Sequence, residues 1–328
     1  MIRAADALQG FQGVALVQAG ADDLLAVARG ATGREPDGGC TLETRFQIAS
    51  VSKQFTATAL LLLYDKGIVS MEDPVSQWLD HCPEAWRPIT LHHLLTHTSG
   101  LVHWQHIPHL DLCRQIPVED LLRIFEEAPL LSPPGERYSY SSPAYVVAAH
   151  VVENASGKTY ASYLKEAIFE PLGMNSTFAG GDRGQPRLAA GLREGKPVPS
   201  AELDVTGMGA GDVWSTAHDL ARWDAALAAG TILSDVTREA MLTVHTPVDD
   251  AAGAEQIVQL HGYGYGWYIG TASEHRVIFH TGGNEGFRSI NAWFPADCVR
   301  LITLTNEETT DVVALAGELL AVAFADSV

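Results

Sequence analysis

The sequence predicts a mixed α/β (α+β) fold: an antiparallel sheet flanked by helices, assembled from both chain ends around a helical insertion. Three observations point there. Strand-like runs occur near the N-terminus and again after residue 260. Helical spacing of apolar residues fills the stretch between them. The late strands are joined by turns too short for parallel crossovers, so they should pair antiparallel. A chain of 328 residues, 46% hydrophobic and 19% charged, can bury a large core as an ordinary globular protein. No Gly/Ser linker, low-complexity tract or repeat divides it.

The elements follow in order. Gly13 to Gln18 and Leu24 to Arg29, split by Ala-Gly-Ala-Asp-Asp, read as a β-hairpin. Ser50 opens a strongly apolar helix that stops at Lys66-Gly67. From about Asp73 to Pro199 helices dominate: Thr90 to Thr96, Val118 to Ala128, Pro143 to Ala155 and Tyr160 to Phe169. Ser142 before Pro143 suits a serine N-cap with proline at the first helical position. Another helix covers Thr216 to Ala229. Strands return at Tyr263 to Ile269, Arg276 to His280, Ser289 to Phe294 and Arg300 to Thr305, and a last helix spans about Asp311 to Phe324. The expected division is a sandwich domain of 1–72 plus 200–328, with 73–199 as the helical insertion.

Charge narrows the partners. Acidic residues outnumber basic ones 40 to 21, a formal charge of -19 that repels nucleic-acid backbones and anionic membranes. No apolar run approaches the ~20 residues of a membrane span, and Asp6 falls where a signal peptide would begin its apolar core. A cytoplasmic protein is expected, with Cys40, Cys82, Cys113 and Cys298 reduced and mostly buried. Their spacing fits neither zinc nor a redox pair.

Chemistry concentrates in a few phrases. Ala49-Ser50-Val51-Ser52-Lys53 is an S-x-x-K motif at a helix start, where positions i and i+3 share a face. A serine needs a base at neutral pH, and a desolvated lysine with a lowered pKa can supply one. Alone the motif is weak, and a serine N-cap beside a surface lysine is the commoner meaning. The apolar run behind it makes an idle lysine there less comfortable. Tyr140-Ser141-Ser142 lies just before a predicted helix, and His280-Thr281-Gly282-Gly283 closes a predicted strand. Each alone reads equally as a packed tyrosine or a turn.

Together, in this order, the three phrases resemble the serine β-lactamase and penicillin-binding-protein superfamily. The likeness is greatest to the branch with class C β-lactamases, D-Ala-D-Ala carboxypeptidases, D-amino-acid peptidases and esterases. Leu94-Leu95-Thr96-His97-Thr98-Ser99-Gly100-Leu101, Pro171-Leu172-Gly173-Met174 and Ser215-Thr216-Ala217-His218-Asp219-Leu220 are similar to other phrases of that branch. The resemblance spans about residues 12 to 325. It implies a β-lactamase/transpeptidase-like fold and a two-step acyl transfer. Ser50 would attack, Lys53 and Tyr140 would relay the proton, with the base undecided between them, and His280 would complete the set. The backbone N–H groups of Ser50 and Gly283 would form the oxyanion hole. Ser142, Thr281, Trp104 and Arg288 are the candidate substrate contacts.

Two departures bear on substrate. His280 stands where β-lactamases usually carry lysine, and Ser142 where an asparagine is usual. Both weaken carboxylate and amide recognition, so a small ester or amide is the expected substrate. Open alternatives are a D-amino-acid peptidase or carboxypeptidase, an acyltransferase on the same acyl-enzyme, and a catalytically dead binding domain. The run His103-Trp104-Gln105-His106-Ile107-Pro108-His109 with Asp111 fits no metal template and reads as a rim over the site. His93 and His97 lack the HExxH glutamate. Trp214, Trp267 and Phe287 suit an acyl pocket, and core packing at least as well. No GxSxG elbow, P-loop or dinucleotide fingerprint is present, and neither cofactor nor metal is expected.

Overall fold

The computed structural model describes residues 8–34, 38–108, 110, 116–181, 184–199, 207–248 and 254–324. The predicted N-terminal hairpin forms as β1 (Gly13–Ala19) and β2 (Asp22–Arg29), paired antiparallel about the Gly20 turn. β1 then pairs antiparallel with β12 (Val299–Thr305), which joins the two ends of the chain in one sheet. The full seven-stranded order is β2-β1-β12-β11-β10-β9-β8, every neighbour antiparallel. Here β8 is Gln259–Tyr263, β9 Tyr268–Ala272, β10 His275–Asn284 and β11 Phe287–Phe294. A small second sheet joins β3 (Phe46–Gln47), β7 (Val213–Ser215) and β4 (Phe178–Ala179) in the order β3-β7-β4, and β5 (Leu192–Arg193) pairs with β6 (Lys196–Pro197) in a short hairpin.

The strand expected over Tyr263 to Ile269 is instead the end of β8, a turn and the start of β9. The physical reason is two glycines that must lie against other backbone. A side chain at Gly264 would meet the Met241 carbonyl at 2.4 Å, and Gly266, at φ 80°, packs on the Lys53 carbonyl. The Gly264 N–H donates to the Trp267 carbonyl and closes the turn.

The apolar run after Ser50 starts as a 3₁₀ turn over Ala49–Ser52 and continues as α1 (Lys53–Asp65). α1 is buried along most of its length because it lies between the sheet and the helices of the insertion. Those are α2 (Leu91–Leu95), α3 (Val118–Glu127), α4 (Ser142–Ser156) and α5 (Tyr160–Leu164), the last continuing as a π-turn over Lys165–Phe169. One apolar cluster runs through both layers, from Leu16 and Ile302 in the sheet through Phe55 and Leu60 to Val147 and Phe169. A second lies on the other face of the sheet, under α8 (Val312–Ala323). α6 (Ala217–Ala229) ends at left-handed Gly230. A short helix absent from the reading above, α7 (Asp235–Met241), starts at an N-cap on Ser234.

The N-cap of α4 is one residue earlier than expected. Ser141, not Ser142, accepts from the Ala144 N–H, and Ser142 becomes the first helical residue with Pro143 second. The cysteines also differ from expectation. Cys40, Cys82 and Cys298 are free thiols, but the first two are half-buried and Cys298 is exposed; Cys113 lies outside the described residues. No described helix is long and apolar enough to cross a membrane.

The sheet and the Ser50 turn meet through β10. β9 pairs with β10 only as far as Phe279↔Tyr268, so among the described residues no strand lies on that edge of His280 to Asn284. The turn at Ala49–Ser52 packs on the face of β10 and β11 over this stretch and leaves that edge open. A Cβ at Gly282 would sit 2.3 Å from the Ile48 carbonyl and 2.3 Å from the Ser289 hydroxyl, which itself donates to Ile48 O at 2.7 Å. Gly282→Ala should therefore cost about 1–3 kcal/mol through overpacking. Urea unfolding checks it, and an unchanged midpoint would mean that the two segments are not so tightly pressed.

Candidate active site

Ser50 is carried on a strained turn. Ala49 before it holds φ 48°, a left-handed conformation that non-glycine residues rarely adopt. The turn is held because the Ile48 N–H donates to Val213 O at 2.9 Å and Ser52 Oγ accepts from Val213 N at 3.1 Å. Ser50 is half-buried and faces a cleft, whereas Lys53, one turn on, is 0% exposed.

Lys53 has three partners drawn from three segments: Ser50 Oγ at 3.0 Å, Ser142 Oγ at 3.2 Å and the Ala210 carbonyl at 2.8 Å. Burial pushes its pKa well below the ordinary 10.5, against the opposing pull of Asp212. A neutral amine has two N–H donors and one lone pair. Ala210 O can only accept, so one donor goes there and a second can serve Ser142, which leaves the lone pair to receive a proton from Ser50. The Ala210 anchor was not legible beforehand. It sits in a loop that requires Gly209, at φ 76°, because a side chain there would meet Tyr145 O at 2.6 Å; Asp212 Oδ1 accepts from the Gly209 N–H.

Tyr140 closes the ring. Its hydroxyl hydrogen-bonds both Ser50 and Ser142, yet burial raises its pKa far above the ordinary value, so it is a neutral phenol. The groups Ser50, Lys53, Ser142 and Tyr140 thus form one hydrogen-bonded cycle that can pass a proton without a net charge in the site.

His280 is placed differently from a substrate-binding cation. It is 1% exposed, and its pKa is pushed down to about 3 by burial and then by Lys53. The Thr281 carbonyl at 2.6 Å fixes the proton on Nδ1, leaving Nε2 to accept from the Tyr263 hydroxyl at 3.0 Å. Both nitrogens are occupied inside the protein. Thr281 and Gly283 line the cleft with Ser50. Gly283 lies on the edge of β10 that carries no strand.

The remaining candidates divide. Arg288 does not line the cleft, since its guanidinium donates to Asn284 O at 2.9 Å and Phe287 O at 2.8 Å across its own hairpin turn. Trp104 does not line it either; it packs against the main apolar cluster and stacks on His103. Its neighbours His103 and Gln105 are the ones that face the cleft. His103 Nδ1 accepts from the Ser142 N–H at 3.2 Å, and burial takes its pKa down to about 3. His109 and Asp111 lie outside the described residues, and among those described no cluster of His, Cys, Asp or Glu could hold a metal. Trp214, Trp267 and Phe287 are core residues, at most 2% exposed. His97 is buried under Tyr140, with Nδ1 accepting from Ser141 N at 3.1 Å. Tyr263, the partner of His280, had no sequence signal beyond its place in an aromatic run.

The cleft holds about 860 Å³ and takes its walls from both parts of the chain. One side comes from His103, Gln105, Glu136, Arg137, Tyr138 and Tyr140, the other from 246–248, Tyr268 and β10.

A serine on a strained turn, a buried lysine and a phenol in one cycle beside an open strand edge define a nucleophile site of the serine type. The beta-lactamase family profile matches residues 1–324, and the chain belongs to that family. Penicillin-binding protein 4* of Bacillus subtilis is 32% identical over 291 residues, 80% of this chain and 61% of that protein. Esterase EstB of Burkholderia gladioli is 34% identical over 208 residues, 57% of this chain and 51% of that protein. The crystal structure of a penicillin-binding protein from Bacillus halodurans superposes with a TM-score of 0.83 at 27% identity, covering 98% of each chain. The chain spans about three-fifths of the length of the two Bacillus subtilis penicillin-binding proteins it matches, 61% and 62%.

The buried lysine carries a stability signature. Between its lowered folded pKa and 10.5 the unfolded chain binds a proton that the folded chain does not. Stability therefore rises with pH across that window, by up to ~1.4 kcal/mol per unit. Lys53→Met should abolish this rise and be the more stable protein at neutral pH. Urea midpoints of both proteins from pH 6 to 10 measure it; parallel curves would place an ordinary, charged lysine there.

Proposed function

We propose that this protein is a serine hydrolase that cleaves a small ester or amide through an acyl-enzyme on Ser50. The observation that carries the reading is the Ser50–Lys53 contact at 3.0 Å, with a lysine whose burial favours the free amine. In the proposed reaction the lone pair of Lys53 receives the Ser50 proton as Oγ attacks the carbonyl carbon. Tyr140, bonded to Ser50 and Ser142, carries a proton to the leaving group. The N–H groups of Ser50 and Gly283 receive the oxyanion. Water then attacks the acyl-enzyme and the same cycle runs in reverse. Residues 1–72 with 200–328, and the insertion 73–199, act as the two walls of the cleft, in keeping with the origin of its lining.

The charge pattern favours an ester over a β-lactam. His280 is neutral with both nitrogens occupied, and Arg288 is held on its own turn, so neither supplies a cation beside Ser50. Arg137 is a cation on the cleft rim, where it is exposed and donates to Leu131 O. A charge-assisted hydrogen bond to a carboxylate is worth about 1.5–3 kcal/mol, and losing it costs about ten- to a hundredfold. A cytoplasmic setting belongs to the same proposal, supported by the free thiols Cys40, Cys82 and Cys298. D-amino-acid peptides and amides are the second substrate class, supported by the D-alanyl-D-alanine-carboxypeptidase/endopeptidase AmpH of Escherichia coli, which is 29% identical over 272 residues.

Ser50→Ala should lose fluorophosphonate labelling and at least ~10³-fold in ester turnover. Intact-mass spectrometry reads the first, and labelling that persists in the variant would exclude Ser50. With the wild type, kcat/KM for p-nitrophenyl butyrate should exceed that for a chromogenic cephalosporin by at least about tenfold at neutral pH. Equal efficiency would turn the reading towards a β-lactamase, and turnover confined to D-amino-acid amides towards a peptidase.

A further inference from the structure

The cleft around Ser50 is much larger than a short acyl group needs. At about 860 Å³ it matches cavities that enclose ligands of drug size. One part of its lining is aromatic: Tyr138, half-buried, and Tyr268 behind it. Their hydroxyls meet at 3.1 Å, which ties the segment before α4 to β9. Behind Tyr268 lie Phe279, stacked at 5.4 Å between ring centroids, and Tyr263, edge-on at 4.8 Å. Tyr138 also rests on His97 and Tyr263, at 5.8 and 5.9 Å. The two rings are fixed before any substrate arrives, and binding need not immobilise them. Pro247 and Val248 add aliphatic surface to the same cleft. Burial lowers the pKa of Lys53 and His280 and so disfavours their charged forms beside the nucleophile, while the charged residues of the lining, Glu136 and Arg137, are exposed at the rim.

Resting on the hydrolase reading above, we propose that the substrate's acyl part carries an aromatic ring, seated against the Tyr138–Tyr268 wall. Aromatic rings gain from offset or edge contacts with such a wall beyond the area they bury, and a butyryl chain has no equivalent gain. The leaving group stays outside this contact, so the wall acts on the choice of acyl group and not on the chemistry at Ser50.

Two esters with the same leaving group test this: p-nitrophenyl butyrate and p-nitrophenyl 3-phenylpropanoate. The wild type should favour the aryl ester in kcat/KM by about tenfold or more, chiefly through KM. Tyr138→Phe keeps the ring and should keep the preference. Tyr138→Leu removes the ring while retaining apolar bulk and should reduce the preference at least about fivefold. Thermal unfolding of both variants, with circular dichroism, separates this from misfolding, and Val248→Phe, which narrows the same space, should also reduce the aryl preference. Turnover of both esters without an aryl preference overturns this inference and leaves the hydrolase reading standing. So does a preference that survives Tyr138→Leu. Turnover of neither ester overturns the hydrolase reading itself.

Discussion

A lysine amine with no access to water governs this structure. Lys53 is 0% exposed, and a charge there would bear a heavy desolvation cost. The amine still needs hydrogen bonds, and its three partners come from three separate segments, two of them 89 and 157 residues away. Ser50 is on the turn that begins α1, Ser142 is at the start of α4 in the insertion, and Ala210 is in the loop before β7. Satisfying one buried nitrogen thus requires that sheet, insertion and loop close around it together. Capping by Ser141 rather than Ser142 has its place in this scheme. It leaves the Ser142 hydroxyl for Lys53 and Tyr140 instead of spending it on the helix end.

The second constraint is the press of β10 on the Ser50 turn. Gly282 gives the room for it, Ser289 ties Ile48 to the sheet, and Asn284 bonds Gln47 Oε1 at 2.8 Å and Gly211 O at 3.0 Å. These contacts hold Ala49 at its positive φ. The nucleophile is therefore positioned by backbone strain that its surroundings sustain. The bare edge of β10 beside it offers peptide N–H groups where a developing oxyanion would lie. A neutral interior suits that arrangement, because fixed dipoles act strongly where water and mobile charge are excluded.

Much of this was legible in the residues. The strand patterns of the hairpin and of 276–305 place the sheet, and S-x-x-K with Tyr140 and His280-Thr281-Gly282-Gly283 locate the cleft. What was not legible has common causes. Ala210 acts through a carbonyl, which every residue has, so no side-chain pattern marks it. The glycine turn at 264–266 looked like continuous strand because Tyr263, Tyr265, Trp267 and Tyr268 are all strand formers, and only the backbone against Lys53 and Met241 forces the break. Trp104 and Arg288 were reasonable contacts by sequence neighbourhood, but a 3₁₀ turn aims His103 and Gln105 at the cleft, and the β10–β11 turn captures the arginine. His280 gave its place but not its state, since the proton on Nδ1 depends on Tyr263 and on a carbonyl.

The free amine of Lys53 is the claim on which everything else rests, and it can be observed directly. Nuclear magnetic resonance of selectively ¹⁵N-lysine-labelled protein, with Lys53 assigned by the loss of its signal in Lys53→Met, follows the Nζ shift against pH. A titration midpoint well below 10.5 is the expected result. An ammonium shift that persists to pH 10 would contradict it: the lysine would then be a buried cation, and the proton of Ser50 would need another acceptor.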